Sequence, residues 1–177
     1  KDWAMDKMMN KFVFGNANKT GVYFDEENRR HLNSIRLAFA QAAGSLADAG
    51  RKEEAKKMLN KCDQMMLEDN FSYGMVSRGQ QHNQISLQFL YAAYKAGDTV
   101  LAQKVTQRLR KDMEQQMAFY QTLTDNKRDN LSAEEERNEN LLKGLMALEQ
   151  QFKNQPPPVE NTGQLQTQPV KPDTPQK

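Results

Sequence analysis

Two histidines, one cysteine and a run of glutamates are the reactive residue types that stand out in this chain of 177 residues. A structural zinc site takes four Cys or His ligands at close spacing. His31 and His82 lie far apart on either side of Cys62, and neither has a second His or Cys at ligand distance. Cys62 falls on an apolar stripe with Ala55, Met58, Leu59, Met65 and Met66, so it reads as a packing residue rather than a nucleophile. Nothing local supplies the paired base and orienting acid of a triad. Glu134, Glu135, Glu136 and Glu139 have the carboxylates for acid–base work. They also occupy the first turns of an expected helix, where the helix dipole favours negative charge, and they read as a solvated face. Gly74 and Gly79 lack the Gly-Lys-Ser/Thr ending of a phosphate loop. Met8, Met9, Met65, Met66, Met113 and Met117 read as helix-packing residues rather than an adaptable groove. No catalytic, cofactor-binding or metal-ligating residue is assigned. The residues left for recognition are Tyr23, Tyr73, Tyr91 and Tyr94, which are candidate contacts for a protein or peptide partner.

Composition limits what such contacts can serve. Twenty-five basic against 23 acidic residues leave a net charge of +2, which gives no electrostatic case for nucleic acid or an anionic membrane surface. Hydrophobic residues make up 37%, and no run approaches the ~20 apolar residues that span a bilayer. The opening Lys1-Asp2-Trp3 carries no secretory pattern and no initiator Met, so the chain reads as a processed product or an excised domain.

The elements that must position the tyrosines are helices. All six prolines lie at or beyond residue 156, so the preceding chain is free of the strongest helix breaker. Residues 1–28 read as an apolar segment followed by a loop, with Val22, Tyr23 and Phe24 β-prone but without a partner strand. Residues 29–155 read as a helical domain. A first helix starts at Asp25 with Leu32, Ile35, Phe39, Ala42, Ala43 and Leu46 at helical spacing, and stops at Ala49-Gly50. A second carries the Cys62 stripe. A long connection from Glu68 to Gln81 leads to a third helix, which ends at Ala96-Gly97. Asp98 then caps a long fourth helix that reaches Tyr120 and is broken at Asp125–Asn130. Ser132 and Glu135 form a capping-box pattern at the head of a fifth helix, with the stripe Leu141, Leu145, Leu148 and Phe152. Whether that stripe folds back or pairs with another chain is left open. Residues 156–177 read as a disordered tail rich in Pro and Gln.

The two hairpins echo one another. Ala49-Gly50 is followed by Ala55, and Ala96-Gly97 by Ala102, both as Ala-Gly-x-x-x-x-Ala. Leu46 and Ala43, then Ala93 and Leu90, fill the apolar places four and seven positions before each Gly. This resembles the tetratricopeptide repeat, in which Gly ends one helix and a small Ala admits the next. Leu67 and Glu114 stand where the repeat usually has Pro, and the offset exceeds the ~34-residue repeat length. The fold expected is all-α, with two tetratricopeptide-like hairpins plus flanking helices.

A narrower resemblance covers about two thirds of the chain. Phe14-Gly15-Asn16, then Val22-Tyr23-Phe24-Asp25, a long helix, the Ala-Gly hairpin, the helix to Cys62 and the hairpin at Tyr94-Lys95-Ala96-Gly97 are similar to the soluble C-terminal region of protein O-mannosyltransferase-like proteins. These are bacterial membrane proteins with many spans. The resemblance implies sugar transfer from a lipid-linked donor in a membrane-embedded N-terminal part, and no catalytic residue carries over to this chain. It further implies a helical accessory domain on the periplasmic side of the inner membrane. Its partner would be the transferase core or the acceptor protein, with membrane attachment only through the region upstream. A free-standing tetratricopeptide-like adaptor is the alternative.

Overall fold

A computed structural model describes residues 2–153. The expected tail at 156–177 lies outside the described residues. The described chain is all-helical, with no strand. A short α1 (Asp2–Asn10) is followed by two helical hairpins, α2 (Glu26–Asp48) with α3 (Lys52–Met65), and α4 (Gln81–Ala96) with α5 (Thr99–Gln121). One 3-10 turn (Arg78–Gln80) precedes α4, and α6 (Asp125–Asn130) leads into α7 (Ser132–Lys153). No described helix is long and apolar enough to cross a membrane.

The hairpin turns form for the same physical reason. Gly50 (φ 77°) and Gly97 (φ 74°) take the left-handed conformation that a side chain disfavours. The amides that follow then reach back to orphan carbonyls: Gly50 N–H to Ala47 and Arg51 N–H to Leu46 in the first turn, Gly97 N–H to Tyr94 and Asp98 N–H to Ala93 in the second. Ala55 and Ala102, each just past its turn, are completely buried, so the two helices of each hairpin approach closely. Asp25 caps α2 through the Asn28 amide and Asp98 caps α5 through the Leu101 amide, as their sequence positions predict.

α4 packs against both α2 and α3, and α7 packs on α5 and α4. One core runs through these layers, with Phe39, Ala43, Leu59, Phe89, Leu90, Val105 and Leu109 fully enclosed. It also takes in Phe14, Ala17 and Phe24, so the N-terminal segment belongs to the same core rather than standing outside it.

Two details depart from the sequence reading, and one question it left open is answered. The predicted break at Asp125–Asn130 is itself a short helix, separated from α5 at Thr122–Thr124. The capping box at Ser132 does not form. Glu134 and Glu135 send their amides to the Leu131 carbonyl, and the Glu135 carboxylate takes Arg128 at 2.9 and 2.6 Å instead. The open question about the last stripe is answered by folding back: Leu145 is buried, and Phe152 stacks on Tyr94 at 4.7 Å with its ring nearly parallel.

Candidate functional site

The connection between the hairpins, residues 66–77, is the part of the chain that exceeds the repeat length, and it is packed, not looped out. Phe71 is fully buried and Tyr73 is 2% exposed. A single buried arginine of α2 fastens them. Arg36 donates to the carbonyls of Phe71 (2.8 Å) and Ser72 (3.2 Å) and to the Ser86 hydroxyl (3.2 Å). Its guanidinium lies 4.4 Å from the Phe71 ring centre and 4.3 Å from that of Tyr73. Burial lowers its pKa from the usual arginine value, while the nearby Tyr73, Cys62, Glu68 and Asp63 act in the opposite direction. His82 places Nε2 2.7 Å from the Ser72 carbonyl, and burial, followed by the neighbouring Arg36 charge, pushes its pKa down to about 3. The imidazole is neutral and donates to that carbonyl. The arrangement is a clamp on a peptide segment; no described side chain beside it is poised as a nucleophile.

A second polar cluster pins the start of α4. Gln80 adopts φ 59°, an unusual value for a residue with a side chain. Its buried amide donates to Gln116 and accepts from Asn83 (3.2 Å). Asn83 and Gln116 both donate to Asp112 on α5, at 2.8 and 2.7 Å. Asn83 also accepts the Met75 amide at 3.0 Å. The strained turn is thus tied to α5 and to the connection.

These two anchors shape a surface. α2 and α4 lie side by side in the same direction, and a hollow opens at each end of their seam. At the N-terminal end a cavity of about 710 Å³ is walled by Arg29, Arg30 and Asn33 of α2, by Gln81 and His82 of α4, by Met75, Val76 and Ser77 of the connection and by Arg78 of the 3-10 turn. At the other end a cavity of about 280 Å³ lies among Ala40, Gly44, Ala92 and Tyr91, with the Lys95–Asp48 ion pair joining the two helices there.

The candidate tyrosines separate on this frame. Tyr91 is 43% exposed and lines the second hollow. Tyr94 is half-buried under Phe152, with its hydroxyl 3.5 Å from that of Thr106. Tyr23 is exposed on the loop before α2, near Arg29. Tyr73 is enclosed: its hydroxyl donates to Asp63 at 2.9 Å, which takes it off the surface. The structure therefore brings Tyr91 and Tyr94 together and leaves Tyr23 elsewhere.

The other reactive residues have packing or surface roles. Cys62 is buried, and burial pushes its thiol up to about 12. His31 is exposed beside Glu27. Glu134, Glu135 and Glu139 pair with Arg137, Arg128 and Lys143. Among the described residues no group of three His, Cys, Asp or Glu could hold a metal ion. Sequence reasoning missed Arg36 and the arginines of the hollow. Arg36 lies four residues after Leu32 and three before Phe39, inside the apolar stripe, and that placement was the available signal.

Set against known protein families, curated proteins and solved structures, the chain matches none.

Proposed function

We propose that this chain is a non-catalytic interaction module that holds an extended segment of a protein partner along the seam of α2 and α4. The observation that carries this reading is the pair of parallel helices with a hollow at each end of their seam and Tyr91 standing partly exposed in one of them. Stacked helical hairpins offer such a face because each unit lends its first helix to a shared surface. The tetratricopeptide-like reading belongs here too. It is supported by the twin left-handed turns, the enclosed Ala55 and Ala102, and the docking of α7 on the second hairpin.

With the residue pattern at Phe14–Asp25 and both hairpins, the proposal extends to an accessory domain of a protein O-mannosyltransferase-like glycosyltransferase. The domain would sit on the periplasmic side of the inner membrane and position acceptor protein. The second reading, a free-standing adaptor, rests on the same surface. Fractionating cells of the source organism and sizing the band detected by an antibody to this domain separates the two. A membrane-bound band far heavier than 20.4 kDa supports the transferase appendage. A soluble band near that mass overturns it in favour of the adaptor. A photo-crosslinker placed at Tyr91 tests the shared surface in either case: the module reading predicts a discrete partner adduct there and none from Val100, which is 79% exposed on α5.

A further inference from the structure

The larger hollow has a chemistry of its own. Three arginines face it: Arg29 and Arg30 from the first turns of α2, and Arg78 from the turn before α4. One carboxylate, Glu26, shares the wall. Arg29 is held in place, with Nε donating to the Phe24 carbonyl at 2.8 Å and a second nitrogen resting 3.8 Å from the Met75 sulfur. Glu27 takes one nitrogen of Arg30 at 2.7 Å. Arg78 is exposed, and no hydrogen bond or ion pair joins its side chain to any described residue.

Asn33 supplies an independent observation. It is 7% exposed and forms part of the wall, and its Oδ1 is sealed from solvent without a hydrogen-bond partner. Its amide nitrogen is not sealed and makes no hydrogen bond to a described residue. Buried polar groups are ordinarily hydrogen-bonded, so an unpaired one in this wall points to a ligand. α4 also begins at this hollow, which adds the positive end of its helix dipole to the guanidiniums, whereas that of α2 is already met by Asp25 and Glu26.

We propose that the hollow walled by Arg29, Arg30, Asn33 and Arg78 binds the carboxylates of an acidic peptide segment, fixing one end of a chain laid along the α2–α4 seam. This rests on the interaction-module reading and names its partner. Arginine forks match carboxylates in two parallel hydrogen bonds. The Asn33 amide nitrogen, which is not sealed, adds a neutral donor. Val76, 65% exposed on the rim, offers apolar contact to a flanking side chain. The overall charge of only +2 makes this a local field, not a general attraction for polyanions.

The test is fluorescence anisotropy with the whole chain and a labelled extended peptide carrying a run of glutamates, beside its glutamine counterpart. The glutamate peptide is expected to bind and the glutamine peptide to bind about tenfold or more weakly. The double variant Arg30→Gln, Arg78→Gln removes two exposed charges without touching the core. It is expected to lose about tenfold in affinity at an unchanged unfolding temperature. Glu26→Gln, which removes the competing carboxylate, is expected to tighten binding severalfold. Equal binding of the two peptides, or an unchanged affinity in the double variant, overturns the carboxylate site while leaving the interaction-module reading standing. Absence of peptide binding, with sedimentation on phosphatidylglycerol vesicles that the double variant abolishes, overturns it in favour of a lipid surface. Absence of both overturns it outright. The module reading itself fails separately, on the crosslinking at Tyr91.

Discussion

Arg36 carries a buried charge with no carboxylate of the described residues in direct contact, compensated by two carbonyls, a hydroxyl and two aromatic faces. Replacing it with leucine keeps some volume but strands the Phe71 carbonyl and leaves the Ser72 carbonyl to His82 alone. We expect Arg36→Leu to lower stability by about 3 kcal/mol, read as a lower urea midpoint. His82 gives the same clamp a pH dependence. Its folded pKa is pushed down to about 3, below the ordinary value of 6.5, so between these values the unfolded chain binds the extra proton. Stability contributed by the neutral imidazole is complete above pH ~6.5 and declines as pH falls towards ~3, by up to ~1.4 kcal/mol per pH unit. Urea titrations of His82→Gln across that window should show a shallower slope than the parent chain. Cys62 was legible in the sequence because its stripe is apolar on both sides. Arg36 was not, because a charged residue inside a stripe is ordinarily counted as solvent-facing until the aromatic partners, more than thirty residues on, are brought to it.

Helices, turns and both N-caps were legible where one short-range force decides them. The Ala-Gly turns, Asp25 and Asp98 each act within a few residues, and each stands where the pattern places it. The Ser132 capping box failed because a competing partner, Arg128, sits one short helix away and claims Glu135. The connection expected at Glu68–Gln81 reads in the sequence as mere length because its packing depends on distant elements. It passes close against α5 at Gly74. A Cβ there would lie 2.4 Å from the Arg108 carbonyl oxygen and 2.6 Å from the Asp112 Cβ. Gly74→Ala should therefore push the connection off α5 and lower stability by about 1–3 kcal/mol, measured by thermal unfolding. The hollow was invisible for the same reason. Arg29, Arg30 and Arg78 become neighbours only when the connection folds down beside α2.

At the scale of the molecule, α7 closes the second hairpin. Leu145 is completely buried, Asn138 donates to the Met113 carbonyl at 2.8 Å, and Arg110 pairs with Glu149. Leu145→Ala should cost about 2–5 kcal/mol and loosen α7 selectively, seen as faster amide exchange in residues 132–153 than in α2. The Arg36 clamp has a different reach, since it spans from residue 36 to residue 86. During synthesis the first hairpin emerges before the residues that enclose and pair that charge, Phe71 to Ser86. The first hairpin therefore cannot complete its own interior until the second has begun to emerge. The order of translation thus makes the two hairpins one cooperative folding unit, and a chain arrested before Phe71 should remain open to proteolysis along α2.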